Sequence, residues 1–295
     1  MNSSVIFLVG ATATGKTSIS LELSQRFPIE IVNADSLQVF RELDIGTAKP
    51  SKPMMLKTPH HLIDILDPDQ EFTAKEYKVL AEEKISQIQA RGKIPLFVGG
   101  AGFYLKALSS PTLDLPSGCK KIEDFTEAYK ELTSKDPEAT KKIHPNDHYR
   151  ISRALFLLDQ DILPSRAFER VPSGNLDFEI VWFGISCPRK TLRSRIEERV
   201  QRMFDAGIIQ ETESVLHHFP KSRARLEKTI GYGECLSYLE GKISKTQAQT
   251  LTTTHTQQYA KRQDTWFRKN SSIVWSTLDT ALDHFSLTMD KLNQV

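Results

Sequence analysis

Cysteine is scarce in this chain of 295 residues: Cys119, Cys187 and Cys235 lie far apart and form no Cys-x-x-Cys pair. That scatter excludes a disulfide framework and argues against a zinc site. No apolar run approaches the roughly 18–20 residues that a membrane span requires. Internal repeats and low-complexity tracts are also missing. The N-terminus enters the apolar run Val5–Val9, which is followed by a glycine turn rather than by a cleavage site. A strand is therefore expected there and not a signal peptide, and with it a cytoplasmic location with no membrane partner. With 39% apolar and 26% charged residues, what remains is the composition of a folded globular protein.

Net charge is only +2, but it is unevenly spread. Between Thr58 and Lys84, Asp64, Asp67, Asp69, Glu71, Glu76, Glu82 and Glu83 outnumber three lysines. The second half reverses this, with basic clusters at Arg189–Arg202, Lys221–Lys228 and Lys261–Lys269. Such a distribution suits either a large polyanion bound on one side or solvated helix faces.

The stretch Gly10-Ala11-Thr12-Ala13-Thr14-Gly15-Lys16-Thr17 links the apolar run to the helical pattern Ile19, Leu21, Leu23, Phe27. Strand, glycine turn and helix in that order are the context in which G-x-x-x-x-G-K-[ST] cradles phosphates. The glycines let backbone N–H groups approach an anion, and the helix adds its positive end. Lys16 supplies a point charge, and the Thr17 hydroxyl is placed to ligate Mg²⁺. A di- or triphosphate ligand follows.

Ile29–Val32 reads as a second strand that ends in Asn33-Ala34-Asp35. Groups at the carboxyl ends of parallel strands project into the ligand crevice, so Asp35 is expected on the rim that carries Lys16. It also suits the N-cap of a short helix over Ser36–Phe40. Leu62–Ile65 is expected as a short strand, preceded by the pair His60-His61, which lacks further ligands at metal spacing. The period of Tyr77, Leu80, Ala81, Ile85 and Ile88 predicts a crossover helix over 73–90 capped by Thr73. Strand Ile94–Val98 then runs into a second glycine turn, Gly99-Gly100-Ala101-Gly102, and a helix over 103–108.

A nucleotide hydrolase places an aspartate at the end of an apolar strand near the loop. Here that strand ends in glycines, Asp35 is the only acid so placed, and no Asn-Lys-x-Asp occurs. Pro111–Gly118 is a break without periodicity, and 122–132, 139–143 and 148–158 are helical patterns with no strand between them. Sheet signals resume at Phe178–Ile185. A helix after Pro188 then carries Leu192, Ile196, Val200 and Met203 on one face and Arg195, Arg199 and Arg202 on another. Two basic helices, about 229–240 and 244–269, and a strand at Ser272–Trp275 complete the pattern. The expected fold is α/β: a P-loop NTPase-like parallel sheet core with helices on both faces and an inserted all-helical domain. Its parts are residues 1–110, core; 111–175, helical insertion; and 176–295, core with basic C-terminal helices.

Several stretches resemble the tRNA dimethylallyltransferase (isopentenyltransferase) family. They are the phosphate loop, Asp35-Ser36-Leu37-Gln38, Asp44–Pro50, His60–Pro68, Ile143–Asp147 with Arg150–Leu155, Gly231-Tyr232 and Lys261–Trp266, in the family's order over most of the chain. The resemblance implies transfer of a dimethylallyl group from dimethylallyl diphosphate to N6 of the adenosine 3′ of the anticodon, with Mg²⁺ as cofactor, by a chain acting as a monomer. It implies that residues 10–17 bind the diphosphate. Lys16, Thr17 and one arginine of the helix after Pro188, Arg199, would neutralise its charge, with Asp35 as base. Ser36, Leu37, Gln38, Lys49 and Ala101 would lie near the base. Arg150, Arg153, Lys261, Arg262 and Gln263 would hold phosphates and flanking nucleotides of the tRNA, with the insertion against its stem-loop. Two positions depart from the family's usual pattern: Ala11, where proline is usual, and Ala101, where a threonine commonly assists at the adenine amine. A small-molecule or nucleoside kinase, and a non-catalytic nucleotide-gated RNA binder, are the alternatives from other classes.

Overall fold

The computed structural model describes residues 4–110, 115, 116, 118–169 and 176–293. Of the expected break at Pro111–Gly118, residues 111–114 and 117 lie outside these, as do residues 170–175 at the far end of the expected insertion. The described residues divide into two compact units, one within Met1–Ser109 and Leu176–Val295, the other within Ser110–Asn175.

The first unit begins β1 (Ser4–Val9), α1 (Lys16–Arg26), β2 (Ile29–Asn33), α2 (Lys52–Lys57), β3 (His60–His61), α3 (Ala74–Ala90), β4 (Ile94–Val98) and α4 (Gly102–Leu108). The second unit holds α5 (Phe125–Lys135), α6 (Pro137–Thr140), α7 (His148–Leu158) and α8 (Pro164–Glu169). The chain then returns to the first unit with β5 (Glu179–Ile185), α9 (Arg189–Asp205), α10 (Ile208–His218), a 3₁₀ turn at Pro220–Ser222, α11 (Arg223–Lys228), α12 (Tyr232–Leu239), α13 (Lys245–Phe267), β6 (Val274–Ser276) and α14 (Ala281–Asn293).

Six strands form one sheet in the order β3-β2-β4-β1-β5-β6, and every pair is parallel. β1 is central, with Phe7 opposite Phe97 of β4 and Trp182 of β5. It is buried along its whole length because both faces are covered. Val5, Phe7 and Val9 pack with Tyr77, Ala81, Ile85 and Ile88 of α3, Leu105 of α4 and Phe267 of α13. The alternate residues Ile6 and Leu8 pack on the other face with Ile19 and Leu23 of α1 and Phe285 of α14. The parallel sheet with helices on both faces is thus as expected. A further apolar cluster unites α9, α10, α12 and α13 through Val200, Ile208, Cys235 and Ala260. In the second unit α5 and α7 enclose Leu132, Ile151 and Leu155.

Local signals explain the element ends. Thr73 accepts from Glu76 N at 3.2 Å while the Glu76 carboxylate accepts from Thr73 N at 2.7 Å, which closes a capping box at the expected start of α3. Two expectations are corrected. No helix forms over Ser36–Phe40: the carbonyls of Gln38 and Val39 take the N–H groups of Asp64, Ile65 and Leu66, and so the segment is held as a turn against its neighbour. The strand expected at Leu62–Ile65 is instead His60–His61, because Leu62 (φ 60°) and Asp64 (φ 54°) are left-handed and end the ladder. Helices α2, α8, α10, α11 and α14 are additions to what the sequence pattern led us to expect.

β2 carries a buried ion group that ties its edge of the sheet. Glu30, whose side chain is 4% exposed, meets Arg91 Nη2 at 2.6 Å, His61 Nε2 at 2.7 Å and Lys93 Nζ at 3.1 Å. Burial alone raises its pKa, but the bonds from Arg91, His61 and Lys93 outweigh it and hold the carboxyl at about 2. A folded value below the unfolded one, near 4.5, contributes stability that is fully present above pH 4.5 and is lost as pH falls toward 2. Unfolding free energies of wild type and Glu30→Gln from denaturant titration should therefore differ by on the order of 2–3 kcal/mol at pH 7 and converge only as pH falls to ~2. A gap that stays constant with pH would remove Glu30 from the acid response.

Candidate active site

β1 delivers the chain to a turn at Gly10 (φ 145°), Ala13 (φ 63°) and Gly15 (φ 100°), from which α1 starts at Lys16. Glycine is required at position 10 for a second reason: a Cβ there would lie 2.6 Å from the Ile185 carbonyl oxygen of β5. Thr14 closes the turn by donating to Ala11 O at 2.9 Å. The loop is also held from outside by Gln263 of α13. Its Oε1 accepts from Thr12 N at 2.8 Å and its Nε2 donates to Gly100 O at 3.1 Å. A Cβ at Gly100 would meet that Nε2 at 2.0 Å, so the second glycine turn is shaped to receive the amide.

Three cations converge on the loop. Lys16 Nζ donates to Gly10 O at 2.9 Å and to Ala11 O at 2.7 Å. Burial and the neighbouring Arg199 lower its pKa to about 7, against the opposing pull of Asp35. Arg199 of α9 donates from Nη1 to Thr12 Oγ1 at 3.0 Å and from Nη2 to Thr47 O at 3.3 Å. Its Nε is buried with no partner among the described residues, and burial lowers its pKa too, with Asp35 opposing. Arg195 reaches Thr14 O at 3.4 Å, whereas Arg202 folds back on Glu198 O of its own helix at 3.3 Å. Two of the three arginines on that face therefore engage the loop.

Asp35 follows β2 and shares with these cations a cavity of about 1200 Å³. Its Oδ1 accepts from Leu37 N at 2.9 Å and Gln38 N at 3.4 Å, while Oδ2 takes no hydrogen bond from a described residue. Asn33 fixes its backbone on both sides, at 3.0 Å in each case. Ser36, Leu37 and Gln38 line the same cavity, and Gln38 Nε2 donates to Thr47 O at 3.2 Å. Tyr259 of α13 lines it as well, its pKa pushed up to about 12 by burial and by the charge of Asp35.

Other residues named from the sequence are placed differently. Lys49 borders the cavity, but its side chain is 3% exposed and its ammonium is held by Phe40 O, Asp44 and Asp64. Gln263 is likewise occupied with backbone groups. Ala101 is the residue before α4, with its N–H on Ala34 O at 3.0 Å. Lys261 and Arg262 are exposed on α13 and border a groove of about 440 Å³ with Trp266 and Lys269. Arg262 lines the large cavity too. Arg150 and Arg153 lie on α7 in the second unit, where Arg150 Nε meets Asp147 Oδ2 at 3.1 Å and Arg153 Nη1 donates to Gly118 O at 2.8 Å. His60 Nδ1 lies 2.7 Å from Thr58 O and His61 meets Glu30. No cluster of three metal-ligating side chains occurs among the described residues.

Sequence reasoning overlooked Tyr259 and Glu211. Tyr259 had a usable signal, since it precedes Lys261 and Arg262 by less than one helical turn. Glu211 had none, because the backbone groups it holds are 165–167 positions away.

A parallel α/β sheet whose carboxyl rim carries a phosphate loop, partly buried cations and a carboxylate with one uncommitted oxygen defines a P-loop protein built for phosphate-dependent group transfer. The family model for IPP transferase matches residues 38–270. The chain belongs to that family. It is 38% identical over 278 residues to tRNA dimethylallyltransferase 1 of Citrifermentans bemidjiense, covering 92% of this chain and 91% of that protein. The tRNA isopentenylpyrophosphate transferase of Bacillus halodurans matches with 30% identity and a TM-score of 0.75, over 99% of this chain and 98% of that one. A eukaryotic dimethylallyltransferase, seen in crystallographic snapshots acting on tRNA, matches with 26% identity and a TM-score of 0.84, over 99% of this chain and 80% of that one.

The Gln263 bridge gives a direct test of how the loop is held. Gln263→Leu should leave Thr12 N–H and Gly100 C=O without these partners and cost roughly 1–3 kcal/mol, read as a lower denaturant midpoint at unchanged slope. Affinity for inorganic diphosphate should fall with it. Unchanged diphosphate binding would mean that the loop holds its shape without the amide.

Proposed function

We propose that this protein transfers the dimethylallyl group from dimethylallyl diphosphate to N6 of the adenosine 3′ of the anticodon in tRNA. The observation that carries this reading is one cavity in which Asp35 Oδ2 is uncommitted while Lys16 and Arg199 sit on a phosphate loop. In the reaction the carbon–oxygen bond to diphosphate breaks, a carbon–nitrogen bond to N6 forms, and the N6 proton leaves to Asp35. The adenine amine is a weak nucleophile because its lone pair is delocalised into the ring. Asp35 orients it through the oxygen that does not cap the 35–38 turn. Lys16, Arg199 and the loop N–H groups stabilise charge on the departing diphosphate.

The Thr17 hydroxyl is exposed at the start of α1 and takes no protein partner among the described residues. A lone hydroxyl without a carboxylate cage suits Mg²⁺ held mainly by phosphate oxygens and water. When bound there, Mg²⁺ supplies further neutralisation of the diphosphate. The extrusion of a stacked adenosine costs a few kcal/mol, least in a loop that is already single-stranded. The exposed bases Lys261, Arg262 and Lys269 beside Trp266 supply phosphate contacts and a stacking face that offset it. The protein acts in the cytoplasm on free tRNA, as a monomer.

Purified protein incubated with unmodified tRNA, Mg²⁺ and radiolabelled dimethylallyl diphosphate should yield labelled N6-dimethylallyladenosine on digestion of the RNA. Asp35→Ala should slow single-turnover transfer by roughly 10²–10⁴ with tRNA affinity retained. ATP consumption with a phosphorylated product and no labelled nucleoside would instead establish a kinase. Arg262→Ala should weaken tRNA binding and make its log–log salt slope shallower by about 0.7–0.9; a wild-type slope would take Arg262 off the phosphates.

A further inference from the structure

Asp44–Lys49 has no regular secondary structure, yet its backbone is pinned at successive residues. Glu211, on α10, does the pinning. Its carboxylate accepts from Asp44 N at 3.1 Å, from Ile45 N at 2.8 and 3.0 Å, and from Gly46 N at 3.1 Å. The Tyr232 hydroxyl donates to the same carboxylate at 2.6 Å. The Tyr232 ring leaves no room for a side chain at position 46, where a Cβ would lie 2.4 Å from it. Three consecutive N–H groups thus form an anion nest whose anion is part of the protein.

The nest fixes the carbonyl of Thr47, which follows directly. That oxygen accepts from Arg199 Nη2 at 3.3 Å and from Gln38 Nε2 at 3.2 Å. The other end of the Arg199 guanidinium meets Thr12 of the phosphate loop at 3.0 Å. Gln38 in turn gives its backbone N–H to Asp35 Oδ1. Glu211 is not among the residues lining the cavity. Had a carboxylate paired directly with Arg199, it would have neutralised the charge that a diphosphate needs. A backbone carbonyl aims the guanidinium and leaves that charge available.

We propose that Glu211 is a positioning residue, which holds the Thr47 carbonyl so that Arg199 is aimed at the diphosphate. The proposal rests on the transferase reading for its kinetic test and on the loop geometry alone for its binding test. Glu211→Gln exchanges one accepting oxygen for an NH₂ that faces the nest's own donors, and Tyr232→Phe removes only the hydroxyl. Each is combined with Arg199→Ala in a double-mutant cycle, read by single-turnover transfer and by calorimetry with inorganic diphosphate and Mg²⁺.

Glu211→Gln should slow transfer by about 10–100-fold, with KM for tRNA changed less than about threefold, and the same substitution should cost less than about threefold when Arg199 is already alanine. Diphosphate affinity should follow the same pattern. An equal loss in both backgrounds overturns the proposal, since a merely structural defect does not depend on Arg199. If Glu211→Gln does not fold, Tyr232→Phe should show an Arg199-dependent loss of about 3–10-fold, and no loss overturns the proposal. A wild-type protein that binds diphosphate but transfers nothing sinks the transferase reading, while the calorimetric cycle still decides the role of Glu211.

Discussion

The site depends on the parallel pairing of β1 with β4 and of β4 with β2. Because these strands run the same way, their carboxyl ends meet on one rim, and Gly10, Asp35 and Gly100 leave the sheet side by side. The approach is close enough to exclude side chains: a Cβ at Gly99 would lie 2.0 Å from Ala34 O. The amide of Gln263 then joins the first glycine turn to the second, and brings α13 with its basic surface to the same rim.

Electrostatics at this rim is arranged for an anion. Lys16 and Arg199 are both partly buried; Arg199 disfavours the charged form of Lys16, Arg202 that of Arg199, and Asp35 opposes the effect on both. Burial of like charges is costly unless an opposite charge joins them. In the proposed reaction a diphosphate would supply that charge at the phosphate loop, which would leave Asp35 for the proton of the amine. The orphaned Nε of Arg199 marks the same demand from the hydrogen-bonding side.

Much of this was legible in the residues. The phosphate loop, the crossover helix with its Thr73 cap, the paired glycines and the arginine face of α9 are local patterns, carried by neighbours in sequence. The turn at Ser36–Phe40 was read as a helix because Asp35 does cap it. What decides against the helix is a second chain segment, Asp64–Leu66, that takes its carbonyls. The family resemblance implied that Lys49 lies near the base; its burial against Asp44 and Asp64 is a matter of where the 44–50 segment folds.

The sequence by itself determined which groups could do chemistry, because the phosphate loop and the alternation of strand residues are short-range features with a fixed geometric meaning. Tertiary structure alone decided how those groups are aimed. Glu211 reaches the 44–46 backbone across more than 160 residues, and Arg199 reaches Thr12 across 187. No periodicity or spacing encodes such a contact, since it exists only once the helices have packed on the sheet.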